Sequence, residues 1–171
     1  MGRTGVEYAS DQITVYRFCP FNCRYCWAWR LKLYSRRIKK GKYNPIVEAR
    51  KYLRSRSRRI IVVSFTSDPY PPIERENKLT RRVLEVLSKA KQHRIYILTK
   101  NPGLALRDVD LMLEHGDMWL GTTLTSVRWN EYEPNAPEPF FQFLLGCFKF
   151  TKIHVYTYKP SFQFLLGCFS P

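Results

Sequence analysis

Three cysteines fall within eight residues near the start of the chain, in the order Cys19-Pro-Phe-Asn-Cys23-Arg-Tyr-Cys26. They follow residues 12–18 (QITVYRF), an apolar stretch that reads as a strand. The spacing is C-x3-C-x2-C. Three thiolates on one short loop can bind three irons of a [4Fe-4S] cube, and the fourth iron is then left without a protein ligand. The alternative is a zinc site, which normally takes four ligands, two of them in a second pair. No fourth Cys or His is close in sequence: His93, His115 and His154 are remote, and Cys147 and Cys168 stand alone near the end. The triad therefore reads as metal ligation by Cys19, Cys23 and Cys26, with an open coordination position. An odd count of five cysteines also argues against a secreted disulfide framework.

The rest of the chain alternates strand and helix. Residues 27–40 and 46–57 read as helical, separated by Gly41 and Asn44-Pro45. Residues 60–65 (IIVVSF) read as a buried strand. Residues 78–91 place Leu79, Val83, Val86, Leu87 and Ala90 on one helical face, with Thr80 or Asn77 as candidate caps. A strand at 94–99, a helix ending at Gly116 and a strand at 118–125 follow. Short links between alternating elements predict parallel βαβ units, whose ligands bind at the carboxyl ends of the strands. The cysteine loop, Thr66-Ser67-Asp68, Lys100, and Thr123 to Ser126 all come at or after such an end.

A chain of 171 residues suits one domain, and 44% hydrophobic residues supply a core. No apolar run reaches membrane-spanning length, and MGRTGVEYASDQ lacks a signal-peptide core, so a cytoplasmic protein is expected. Net charge is +15. Residues 30–59 hold thirteen Lys or Arg against one acid, Glu48, a local charge of +12. Such a block attracts polyanions, nucleic acid above all, or else forms a solvated face.

With Tyr25 before its last Cys, the motif resembles that of the radical S-adenosylmethionine (SAM) superfamily. Over residues 12–139 the chain resembles the spore photoproduct lyase-like branch, also called DNA photolyase-like. The resemblance rests on Ser64-Phe65-Thr66-Ser67-Asp68-Pro69-Tyr70, Pro72-Ile73-Glu74, Leu79-Thr80-Arg81, Leu98-Thr99-Lys100, Leu106-Arg107-Asp108 and Glu133-Pro134-Asn135-Ala136-Pro137. It implies a partial (βα) barrel, here of about four βα units. It implies SAM chelated to the open iron and cleaved by one electron to a 5′-deoxyadenosyl radical that abstracts a substrate hydrogen. A reductant protein would supply the electron. By family position Thr66 and Ser67 would bond the methionine part of SAM, Lys100 its carboxylate with help from Thr123, and Tyr25 would border the adenine. Asp68 reads equally as a turn-former before Pro69. Tyr70 reads as packing, and Arg107-Asp108 as part of a helix away from the chemistry. True spore photoproduct lyases carry a hydrogen-donating Cys just before Thr-Ser-Asp. Phe65 stands there, so repair of that lesion is not expected. Two further readings are an inactive iron–sulfur protein that binds nucleic acid or a partner, and a zinc-stabilised nucleic-acid module.

The family pattern stops after Pro139. Residues 140–171 contain no acid, and FQFLLGCF occurs at 141–148 and again at 162–169. A structural repeat drifts while keeping its apolar pattern and comes in several copies. Two identical octapeptides suggest instead a core of 1–139, truncated relative to its family, followed by a tail 140–171 read through repetitive DNA. Such copies could pack as strands in place of lost units, and their aromatic density favours aggregation.

Overall fold

The computed structural model describes side chains for residues 4, 7–31, 43–122 and 130–137, and backbone alone for 2–3, 123–124, 129 and 164–168. Six strands form one sheet: β1 (Gly2–Arg3), β2 (Asp11–Ile13), β3 (Ile60–Val63), β4 (Arg94–Thr99), β5 (Met118–Leu124) and β6 (Phe164–Cys168). They lie side by side in that order. β2 to β5 are parallel, while β1 and β6 are antiparallel edges. The helices are α1 (Trp27–Arg30), α2 (Pro45–Leu53), α3 (Glu74–Asn77), α4 (Leu79–Leu87), α5 (Pro102–Ala105), α6 (Val109–His115) and α7 (Trp129–Tyr132).

Sequential order with right-handed crossovers puts every connecting helix on the same side of the sheet. The burial agrees for α2, α4 and α6. Ile13, Val63, Ile97 and Leu120 form one row across the strands. All four are buried, in a core that also holds Ala49 and Tyr52 of α2, Val83, Leu84 and Leu87 of α4, and Leu111 and Met112 of α6. The next row, Gln12, Val62, Tyr96 and Trp119, faces away from that core. Tyr96 and Trp119 stack edge to face there at 6.1 Å. The fold is thus a four-stranded parallel α/β sheet layered on one side, consistent with a partial (βα) fold, and two antiparallel strands bound it. Among the described residues no helix is long and apolar enough to cross a membrane.

Several boundaries differ from the sequence expectation for local reasons. β3 stops at Val63 because Ser64 adopts a left-handed backbone, φ 62°. β2 consequently loses its ladder partner after Ile13, where Ser64 N donates to Ile13 O at 2.7 Å and Val15 N donates to Ser64 Oγ at 3.0 Å. Asn44-Pro45 starts a helix: the Asn44 side chain accepts from Ile46 N and Val47 N. Neither Thr80 nor Asn77 caps α4. Its N-cap is Lys78, in a left-handed conformation without a side-chain cap. The free N–H groups of Thr80 and Arg81 donate to the buried Glu74 carboxylate at 2.8 and 3.3 Å. Thr80 is turned the other way, donating its hydroxyl to Pro69 O. Gly116 does end α6 in the left-handed region, φ 81°. Of the expected helix 27–40, α1 is described and 32–40 lie outside the described residues. The first octapeptide and Cys147 lie outside them too, whereas the second contributes β6.

Candidate functional site

The cysteine loop leaves β2 and folds back on itself. Asn22 supplies the reversal with φ 50°, a conformation its short polar side chain tolerates. Cys26 N donates to Cys23 O at 3.0 Å, closing a turn between the second and third cysteines. Cys19 is buried, and it packs with Phe21, Ala28 and Ala136; Cys23 and Cys26 are half-buried against that cluster. Residues 132–136 clamp the loop from outside. Arg24 N donates to Tyr132 O at 2.8 Å, and Asn135 Nδ2 donates to Pro20 O at 3.1 Å.

None of the three cysteines is in a disulfide. Burial pushes the Cys19 thiol up to about 12, and the neighbouring Asp68 charge adds to the rise. Burial raises Cys23 as well; Lys100 opposes that rise and Glu133 reinforces it. Among the described residues no three His, Cys, Asp or Glu side chains are gathered tightly enough to hold a metal ion. The donor set fits an iron–sulfur cluster in kind and number: three soft sulfurs on one loop, partly shielded, beside a cation. The two described histidines, His93 and His115, are structural, and His154 lies outside the described residues. His93 Nδ1 accepts from Arg59 N at 3.1 Å and its Nε2 meets Tyr52 O at 3.0 Å. His115 bonds Asp117 N and Ala90 O in the same manner.

The strand ends carry the other candidates. Asp68, after β3, is buried and acts as a fastener. Its carboxylate accepts from Tyr70 N (2.8 Å), Thr99 Oγ1 (2.7 Å) and Lys100 N (2.7 Å). Burial raises its pKa above the ordinary carboxylate range, and these three donors offset part of the rise. Asp68 is therefore a turn-former and also ties the end of β3 to the end of β4. Thr66 is buried beside it. Ser67 Oγ donates to Tyr16 O at 2.6 Å. Thr123 lies within β5, and its side chain falls outside the described residues, as do 125–126.

Lys100 reaches from the end of β4 to the cysteine loop. Its Nζ sits 5.4 Å over the Tyr25 ring and 2.6 Å from Glu133 Oε1. Tyr25 donates its hydroxyl to the same carboxylate oxygen. Glu133 is the residue that sequence reasoning missed as a site member. Its signal was present, in the motif Glu133-Pro134-Asn135-Ala136-Pro137. Tyr70 and Arg107-Asp108 are more than packing and a helix. Tyr70 donates to Asp108 Oδ2 at 3.0 Å, and Arg107 bridges Asp108 (2.9 Å) and Glu74 (2.6 Å) in a largely buried network of residues that follow β3 and β4. These carboxylates hold Arg107 well above its ordinary range.

Among the described residues, the cations of the basic segment do not share a single patch. Arg30 lies at the mouth beside the cysteine loop, whereas Arg54, Arg56 and Arg58 lie between α2 and the start of β3, at the opposite end of the sheet. Arg58 pairs there with Asp117 at 3.0 Å. Residues 32–42, with six of the thirteen cations, are outside the described residues. Around the mouth, Phe18, Trp27, Trp29 and Leu31 are exposed.

A one-sided parallel sheet with a three-thiol loop at its carboxyl end defines a class that known families can be compared with. The chain belongs to the radical SAM superfamily, whose family model matches residues 13–149. It is similar to an uncharacterized protein, MJ0683, of Methanocaldococcus jannaschii, with 32% identity over 142 residues, 78% of this chain and 51% of the relative. The chain thus spans about half the length of that relative. No solved structure matches. Members of that superfamily generally bind a [4Fe-4S] cluster and SAM.

Proposed function

We propose that the chain is the cluster- and cofactor-binding part of a radical SAM enzyme of the spore photoproduct lyase-like branch. Cys19, Cys23 and Cys26 hold the [4Fe-4S] cluster, and the amino-acid end of SAM lies between them and the ends of β3 to β5. When bound, the cluster supplies the electron that cleaves SAM to a 5′-deoxyadenosyl radical. The protein orients and shields. Lys100 engages the ligand carboxylate, Thr66, Ser67 and Thr123 border the methionine part, and the Tyr25 ring borders the adenine. The observation that carries this reading is the Lys100 ammonium poised over Tyr25, which joins a strand end to the cysteine loop. Phe65 lacks a transferable hydrogen, so the substrate differs from the spore lesion. The cytoplasm is the proposed compartment, where a reductant protein can reach the cluster.

Anaerobic reconstitution followed by assay for 5′-deoxyadenosine tests the reading. Lys100→Ala should keep its iron and bind SAM about tenfold or more weakly, as the loss of a charge-assisted bond implies. Unchanged affinity would remove Lys100 from the site, and a wild-type protein that takes zinc without iron would overturn the function.

Nucleic acid is the proposed partner of residues 30–59. The exposed rings of Phe18, Trp27 and Trp29 beside Arg24 and Arg30 favour it, because bases stack on such surfaces. Binding should fall steeply with salt, by counterion release. Reversing Arg36, Arg37, Lys39 and Lys40 to Glu should flatten that dependence by up to about four units of slope. Absence of binding by the wild type at low salt would reduce the segment to a solvated face.

A further inference from the structure

We infer that the turn between α2 and β3, joined by the turn between α4 and β4, is an anchoring surface for the phosphate backbone of a nucleic acid, at the end of the sheet opposite the cysteine loop. This rests on the nucleic-acid partner proposed above and gives that partner a point of contact away from the mouth.

Between 50 and 59 the chain carries Arg50, Lys51, Arg54, Arg56, Arg58 and Arg59. Arg50, Arg54 and Arg56 are exposed, and among the described residues no carboxylate pairs with them. Asp117 takes both Arg58 and Arg94, at 3.0 and 2.9 Å, so one of those two charges stays uncompensated. Lys89 and Lys91 are exposed in the second turn. Lys91 Nζ donates to a backbone carbonyl, Glu114 O, which leaves its charge in place. All but one of the cations at 50–59 are arginine. The guanidinium fork matches phosphate oxygens two at a time, whereas an anionic lipid surface attracts lysine equally well. The arginines therefore favour a nucleic acid over a membrane.

The first turn is also fixed in place. Gln92 Nε2, from the second turn, donates to Tyr52 O at 3.2 Å and Ser55 O at 3.0 Å. Ser55 Oγ donates to Ser57 O at 3.3 Å. Arg59 N donates to His93 Nδ1 at 3.1 Å, and Arg94 N donates to Arg59 O at 2.9 Å. The side chains of Arg54, Arg56 and Arg58 stay exposed between these ties. A backbone already ordered loses little freedom when a partner binds. β3, Ile60–Val63, separates this turn from the mouth by about 10 Å. A nucleic acid held there leaves the mouth open. Contacts from arginine and serine to phosphate fix position and carry no sequence information.

The test titrates labelled mixed-sequence DNA, single-stranded and duplex, with the full chain over a range of salt. Iron content of the reconstituted protein is measured in parallel. Arg54→Gln with Arg56→Gln should lower the slope of log affinity against log salt by roughly 1.4 on single strands and 1.8 on duplex, as the loss of two phosphate contacts implies. Its iron content should not change. Arg75→Gln with Arg82→Gln removes the same charge from exposed positions elsewhere and should leave the slope near its wild-type value. A wild-type slope in the Arg54 and Arg56 variant, or an equal fall in the Arg75 and Arg82 variant, would overturn the inference alone. Wild-type protein that binds neither DNA at low salt, whether or not it binds vesicles of anionic phospholipid, would overturn the proposed partner and the inference with it.

Discussion

Alanine at Cys19, Cys23 or Cys26 should each take the reconstituted protein from about four irons per chain to nearly none, since a site-open cube has no spare protein ligand. Alanine at Cys147 or Cys168 should leave the iron unchanged. The contrast comes from position. The first three thiols share one loop folded back by Asn22 and clamped by residues 132–136. Cys168 pairs through its backbone with Leu120 on the far edge of β5. Iron and sulfide analysis, with the visible absorption of the cluster, reads the result. Full iron in any of the three loop variants would sink the assignment of that cysteine.

Glu74→Ala should be the most damaging substitution to stability outside the cysteine loop. The Glu74 side chain is fully buried and accepts from Tyr16, Thr80 N, Arg81 N and Arg107. Removing it leaves the first N–H groups of α4 without acceptors and takes one of two carboxylates from Arg107. Breaking a buried ion pair of this kind costs about 3–5 kcal/mol, a large share of the ~5–15 kcal/mol that holds a domain. Asp110→Ala is the control. Asp110 also pairs with Arg81, at 2.8 Å, but its side chain is 57% exposed. Its loss should cost about 1 kcal/mol or less. Urea unfolding of the two variants decides: comparable midpoints would show that the Glu74 network is not a structural keystone.

The elements that could be read from sequence were those whose period and punctuation agree. Residues 94–99 alternate buried and half-buried as a strand on one-sided packing must, and Arg94–Thr99 matches to the residue. Gly116 stops α6 because it alone relieves a left-handed turn there. The helix face of 78–91 was legible for the same reason, yet its cap was not. Capping rules look one to three residues back, and the cap came from a carboxylate in the preceding helix, six residues from Thr80. β2 was overread because alternation in 12–18 persists after Ser64 has turned β3 away. At the site, the cysteine spacing was visible as local sequence. The Lys100–Glu133 pair was not, since its members lie thirty-three residues apart and meet only once β4 and the 129–137 segment are placed.

The β6 strand raises a question of degeneracy. Its residues belong to the second of two identical octapeptides, and it docks on β5 with Phe164 opposite Leu124. A twenty-one-residue slide of the chain would put Phe143 in that place with every local pairing unchanged, because the side chains are the same. The two arrangements differ in the loop that must be closed: eighteen residues after Leu124 in one, thirty-nine in the other. Doubling a loop costs only about 0.6 kcal/mol, close to the thermal energy itself. By sequence, then, the outer edge of β5 suits either octapeptide, the choice resting on little more than chain entropy, and β6 of the second closes that edge to another strand.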